Sequence, residues 1–276
     1  MKITMKIYLP LVAIVLFLYS CDPSSSSDDM QEESDPVLSV QITSNTSTPF
    51  IDYVMDVEIT ASNPIKEIEV TDNNNQSYQS QSSNEPEGIG KKVQLYYSYP
   101  SLGPRKLEFT VTDIYDQTVY FTETITVTRG NAVRILSAEV ISFKDQGKTW
   151  DPEYAETDDN RLADVTIGLL KPILNDRFGG TDYTWLRWYI SESRMNEANL
   201  FFDLSDKELY IDLSKQMRVG LGDDDGGNMG QSLIPDAPDY RVIDFKDYSS
   251  TRPSEIILKD EAINLEIKFK VEWPQS

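Results

Sequence analysis

Two stretches of this chain gather carboxylates densely enough to do chemistry. The first, GKTWDPEYAETDDNRLADV over residues 147–165, carries Asp151, Glu153, Asp158, Asp159 and Asp164. The second, MRVGLGDDDGGNMG over residues 217–230, carries Asp223, Asp224 and Asp225 in a glycine-rich turn. Carboxylates collected from separate strand ends suit a hard cation: calcium takes about six to eight oxygens, and glycines let the backbone fold tightly enough to add carbonyls. Asp-Gly runs are also ordinary turn residues, so plain solvated loops are the alternative reading of the same letters. A carboxylate pair also serves glycoside hydrolysis, but no pair here has a spacing that singles it out, and no catalytic residue is assigned.

What the chain lacks narrows the chemistry further. It has no histidine, and its one cysteine is Cys21. Histidine-assisted hydrolysis, imidazole proton shuttles, His-ligated or thiolate metal sites and disulfide bridges are thereby excluded. The 25 basic and 46 acidic residues leave a formal net charge of -21. Such a surface repels phosphate backbones, so no nucleic-acid partner is expected. Oxygen chemistry remains, and with it a binding role is expected before an enzymatic one.

Aromatic residues suggest a different kind of site. TDYTWLRWYIS places Tyr183 and Trp185 on one strand face and Trp188 on the other, and YYSYP groups Tyr96, Tyr97 and Tyr99. Aromatic faces stack on sugar rings, which would suit glycan capture. The competing reading is core packing, since one face of each strand must be buried.

The elements that would position these residues are strands. In YVMDVEITA, Met55, Val57, Ile59 and Ala61 alternate with polar neighbours. Leu107, Phe109 and Val111 do the same, as do Val119, Phe121, Ile125 and Val127. Further along, Ala163, Val165, Ile167 and Leu169 predict one strand, and Ile263, Leu265, Ile267, Phe269, Val271 and Trp273 predict the last. A short helical turn is expected near Ser191–Asn199, where Glu192, Met195 and Ala198 have helical spacing. Short strands separated by turn signals predict an all-β chain of two sandwiches, over residues 36–129 and 130–276.

The N-terminus reads separately. Lys2 and Lys6 precede an apolar run, Ile7–Leu18, that is too short to cross a bilayer core of about 30 Å as a helix and fits the centre of a signal peptide over residues 1–20. Residues 21–35 are rich in Ser, Asp and Glu and predict a solvated tether.

Several of these motifs resemble known families. Leu18-Tyr19-Ser20-Cys21 resembles the bacterial lipobox, although Tyr19 is bulkier than usual there; the resemblance implies a diacylglycerol on Cys21 and a mature chain starting at that residue. Ser27-Asp28-Asp29 resembles the export signal of Bacteroidota surface lipoproteins, implying an outer-membrane protein exposed at the cell surface. TVTDIYDQTVYFTETITVT resembles the last two strands of bacterial immunoglobulin-like domains, which implies that fold for residues 36–129.

In residues 130–276, an acidic loop with a tryptophan, a strand opening near an Asp, and a later strand ending in D-x-D resemble the C-two family of calcium- and phospholipid-binding β-sandwiches. The resemblance implies calcium as cofactor. It puts Asp164 at the opening of the second strand, Asp223 and Asp225 at the D-x-D ligands, and Met229-Gly230 at the closing apolar-Gly pair. Asp151 or Asp158 would supply the first-loop ligand, and spacing does not choose between them. Asn228 stands where a further Asp is common.

The expectation is therefore a surface-anchored lipoprotein acting as a non-catalytic binding or assembly module, with calcium as the ion its loops would take. The alternatives are a glycan-capturing accessory lipoprotein of an outer-membrane uptake complex and, last, a carboxylate-dependent glycosidase. The partner beyond the membrane, protein or glycan, is not specified by the sequence.

Overall fold

Period-two alternation becomes strand geometry throughout. The first seven strands are β1 (Val40–Ser44), β2 (Met55–Ala61), β3 (Ile65–Asp72), β4 (Ser77–Ser82), β5 (Lys92–Tyr97), β6 (Gly103–Asp113) and β7 (Thr118–Val127). They form two antiparallel sheets, ordered β1-β2-β5 and β4-β3-β6-β7, the strand order of an immunoglobulin-like sandwich. Because Cβ atoms alternate across a strand, Met55, Val57 and Ile59 of β2 point inward and meet Val70 of β3 and Phe109 of β6 in one core. The computed structural model describes residues 35–275 apart from 73–76, 175–177, 179–181, 227–229 and 236. The signal peptide, Cys21, Ser27-Asp28-Asp29, Asn228 and Met229 fall outside the described residues.

The remaining strands are β8 (Ala132–Ser142), β9 (Val165–Leu174), β10 (Tyr183–Ile190), β11 (Phe201–Asp203), β12 (Leu209–Asp212), β13 (Gln216–Asp223), β14 (Gln231–Ser232), β15 (Arg241–Asp244), β16 (Glu255–Asp260) and β17 (Leu265–Glu272). One sheet runs β10-β9-β13, with β14 and β15 sharing the far edge of β13; the other runs from β11 and β12 through β8 and β17 to β16. Their facing sides bury Ile135, Ile167, Leu169, Val219, Leu221, Ile267 and Phe269 together. The chain is thus all-β and built of β-sandwich sheets.

Three details differ from expectation. The last strand begins at Leu265, because Ile263 closes a 3-10 turn whose N-cap, Asp260, accepts from the Ala262 N–H, and Asn264 then turns left-handed with φ 53°. Ala163 is buried but precedes the strand that starts at Val165. The expected helical turn is only a 3-10 turn, Met195–Glu197, interrupted by Asn196 at φ 55°.

The two sandwiches share one buried ion pair. Lys171 of β9 is fully buried, and its Nζ lies 2.8 Å from Oδ1 and 3.1 Å from Oδ2 of Asp52, which sits in the loop before β2. The same ammonium donates to the Tyr210 carbonyl at 2.6 Å and the Pro100 carbonyl at 3.2 Å, and stands 4.7 Å from the centre of the Trp188 ring. Asp52 also accepts the Asp212 N–H at 3.0 Å. Burial pushes the Asp52 carboxyl up and the Lys171 ammonium down, and their mutual attraction opposes both shifts. Tyr210 of β12 packs into the first core rather than the second, so apolar contact reinforces the ionic one.

Removing one member of such a pair strands the other charge in the interior, at a cost of about 3 to 5 kcal/mol. Asp52 has φ 59°, so the charge is best removed with Asn, which tolerates that conformation. We expect Asp52→Asn and Lys171→Met each to be strongly destabilising in urea melts, and the double variant to lose much less than the two losses together. Additive losses would mean that the pair is not coupled.

Candidate functional site

The carboxylate site forms where β9 begins and β13 ends. These strands pair antiparallel with Asp223 opposite Val165, which places Asp164 beside the end of β13. Asp223 Oδ1 accepts the Asp164 N–H at 2.7 Å, and the Asp164 carbonyl accepts the Asp224 N–H at 2.9 Å. The backbone thus locks the two strand ends in register. β14 runs back along β13, with Gln231 opposite Asp223 and Ser232 opposite Gly222. Gly230 makes this possible: a Cβ there would lie 1.7 Å from the Asp223 carbonyl oxygen, so no other residue fits.

The opposite wall is the loop before β9. Trp150 and Asp151 donate their N–H groups to the Arg161 carbonyl at 2.7 and 3.2 Å, closing the loop on itself. The Arg161 side chain staples it further, donating to the carbonyls of Gly147 and Glu156. The Trp150 indole donates to the Asp145 carbonyl at 3.3 Å, which fixes the ring beside Asp151.

Oxygens of Asp151, Asp223 and Asp225 consequently lie within 4.8 Å of one another. Two ligands on opposite sides of one calcium, each about 2.4 Å from it, would be about that far apart. Asp223 is fully buried, and its Oδ2 has no hydrogen-bond partner among the described residues. Burial is the main reason that its carboxyl is pushed from 3.8 up to about 6; the Asp164 N–H pulls the other way, and the charges of Asp151, Asp225 and Asp164 add to the rise. Burial and then Asp225 likewise raise the Asp151 carboxyl.

Not every expected residue joins this cluster. Asp164 lines the site, but its Oδ1 accepts the Asn196 N–H at 2.7 Å, so it acts mainly as a brace. Asp158 caps the 3-10 turn Asp159–Arg161 through the Asn160 N–H and stands outside the cluster, whereas Asp151 lies within it. The sequence reading missed Asn160, Asn196 and Gln231, whose amides line an open cleft of about 660 Å³ beside the carboxylates. Asn196 carried no signal, because its place depends on a left-handed turn docking against β9.

The aromatic strip is already occupied. Arg218 lies 3.6 Å from the Trp185 ring centre and 4.1 Å from that of Tyr240, and Lys215 lies 4.0 Å from that of Tyr183. Trp188 covers Lys171, and Tyr97 and Tyr99 are buried in the first core. As a sugar platform the strip has therefore lost faces to the protein's own cations.

No family model and no curated relative matches the chain. Solved structures similar in part include two β-sandwich proteins. One contains fibronectin(III)-like modules of CbhA from Clostridium thermocellum, at 12% identity over 72% of this chain and 90% of that one, with a TM-score of 0.24. The other concerns carbohydrate-binding modules from the β-sandwich superfamily, at 10% identity over 87% of this chain and 99% of that one, with a TM-score of 0.26. At such scores neither likeness bears on function, and the architecture rests on the sheets themselves.

A carboxyl whose pKa is higher folded than unfolded binds its proton more tightly in the folded state. Its stabilising effect is full below 3.8 and is lost as pH rises through about 6. In chelator, the melting temperature should fall over that interval, and Asp223→Asn should remove this part of the fall while keeping the Oδ1 acceptor. Identical pH profiles for both proteins would show that Asp223 does not titrate in this way.

Proposed function

We propose that this chain is a non-catalytic binding module, held at the outer membrane by a lipid on Cys21, with Asp151, Asp223 and Asp225 forming a calcium site. The observation that carries the reading is the buried, unpartnered Asp223 Oδ2, converging with two further carboxylates. A divalent cation answers that arrangement directly, because it supplies the positive charge that no side chain lining the cleft brings among the described residues. Magnesium suits it less, since it demands a tight octahedron and sheds water reluctantly. An acid–base role is less well supported, because Asp223 has no exposed surface from which to reach a substrate.

Calcium that binds only the folded state stabilises it by RT ln(1 + [L]/Kd), about 2.7 kcal/mol at a hundredfold excess over Kd. For a chain of this size that corresponds to roughly 5 to 10 °C in melting temperature. We expect the full chain to show such a shift in calcium, a much smaller one in magnesium, and none in the Asp223→Asn/Asp225→Asn variant, which should melt higher than wild type in chelator. Equal shifts with the two ions would count against the site.

The anchor makes a separate prediction. With the thiol replaced, Cys21→Ser should leave an uncleaved precursor that takes up no radioactive palmitate. Labelling that persists in this variant would remove the lipoprotein reading and leave the calcium reading untouched.

A further inference from the structure

Two of the three carboxylates, Asp151 and Asp225, line the cleft beside the loop before β9, while Asp223 is buried. Three carboxylates provide a minimum of three oxygens, and calcium takes about six to eight, so positions remain for oxygens arriving from the cleft. The cleft walls are not those of a bare ion site. Tyr154 is 43% and Met195 59% exposed, and Trp150 is held in place by its indole hydrogen bond, so apolar surface faces the opening. The amides of Asn160, Asn196 and Gln231 add donors and acceptors, and Ser193, whose Oγ is buried and has no hydrogen-bond partner among the described residues, belongs to the same lining.

Charge then selects among ligands. Among the described residues, the cleft lining includes Asp151, Glu153, Asp164, Asp224 and Asp225 and contains neither Lys nor Arg. One divalent cation leaves that surface negative, so phosphates, uronic acids and anionic lipid headgroups are repelled. A neutral molecule with paired hydroxyls is not. Its diol would complete the calcium shell, its C–H face would lie on Tyr154 or Trp150, and its other hydroxyls would meet the amides, combining an apolar wall with a few fixed polar groups.

Resting on the calcium reading above, we infer that the cleft binds a neutral, diol-bearing polysaccharide through the calcium held by Asp151, Asp223 and Asp225. Sugar capture on this reading belongs to the loop end of the second sandwich and not to the Tyr183–Trp185 strip.

Affinity electrophoresis of the full chain tests this, with mannan, whose units carry a cis diol, in the gel and calcium or chelator in the buffer. Polygalacturonate gels and phosphatidylserine vesicles serve as anionic controls. We expect mannan to retard the protein in calcium and not in chelator, with neither anionic control binding. Tyr154→Ala should weaken mannan retention about tenfold while keeping the calcium-induced melting shift, and Asp223→Asn/Asp225→Asn should lose both. A normal calcium shift with no retardation by mannan, or with binding to either anionic control instead, overturns the inference and leaves the calcium site standing. Retardation that persists in chelator overturns the calcium-bridged mode, and the absence of any calcium shift removes both readings.

Discussion

The ammonium of Lys171 is the constraint on which the arrangement of this molecule depends. It sits on a strand of the second sandwich, yet its anionic partner, Asp52, and the Pro100 carbonyl belong to the first. Such a group must find its hydrogen bonds in one place or bear a large desolvation penalty, so the sandwiches have little freedom to slide. The same strand, β9, carries Val165 at its other end, opposite Asp223. A single strand is therefore anchored to the neighbouring sandwich at one end and helps to frame the carboxylate site at the other.

That economy explains why the site can be rigid although it is made of loops. The loop before β9 is closed by Arg161, Gly230 allows the chain to approach the Asp223 carbonyl, and Asp164 ties both strand ends through its backbone groups. Side chains on such a frame lose little entropy on binding, because their positions are already set.

The sequence made some of this legible, and physical reasons separate what it showed from what it hid. Period-two alternation exposed the strands of the immunoglobulin-like sandwich, and the D-x-D at the end of a strand exposed Asp223 and Asp225. Asp151 and Asp158 looked equivalent because the difference between them is local capping: Asp158 precedes a 3-10 turn and is consumed by it. β14 and β15 are two and four residues long, too short to print a period. The cations stacked on Trp185 and Tyr183 come from across the sheet, and the partner of Lys171 lies 119 residues away. No window of sequence contains either contact.

Two buried aspartates show how differently the fold treats the same cost. Asp52 and Asp223 are both almost wholly removed from water, and burial pushes both carboxyls upward. Asp52 meets an ammonium inside the chain, and that cation lowers its pKa against the effect of burial. The charges acting on Asp223 are those of Asp151, Asp225 and Asp164, all of its own sign. A carboxylate in that position is locally unfavourable, and natural proteins keep such conflicts mainly where function requires them. Among the described residues, the charges that bear on Asp223 bring it no countercharge, and this imbalance is what the proposed cation would relieve.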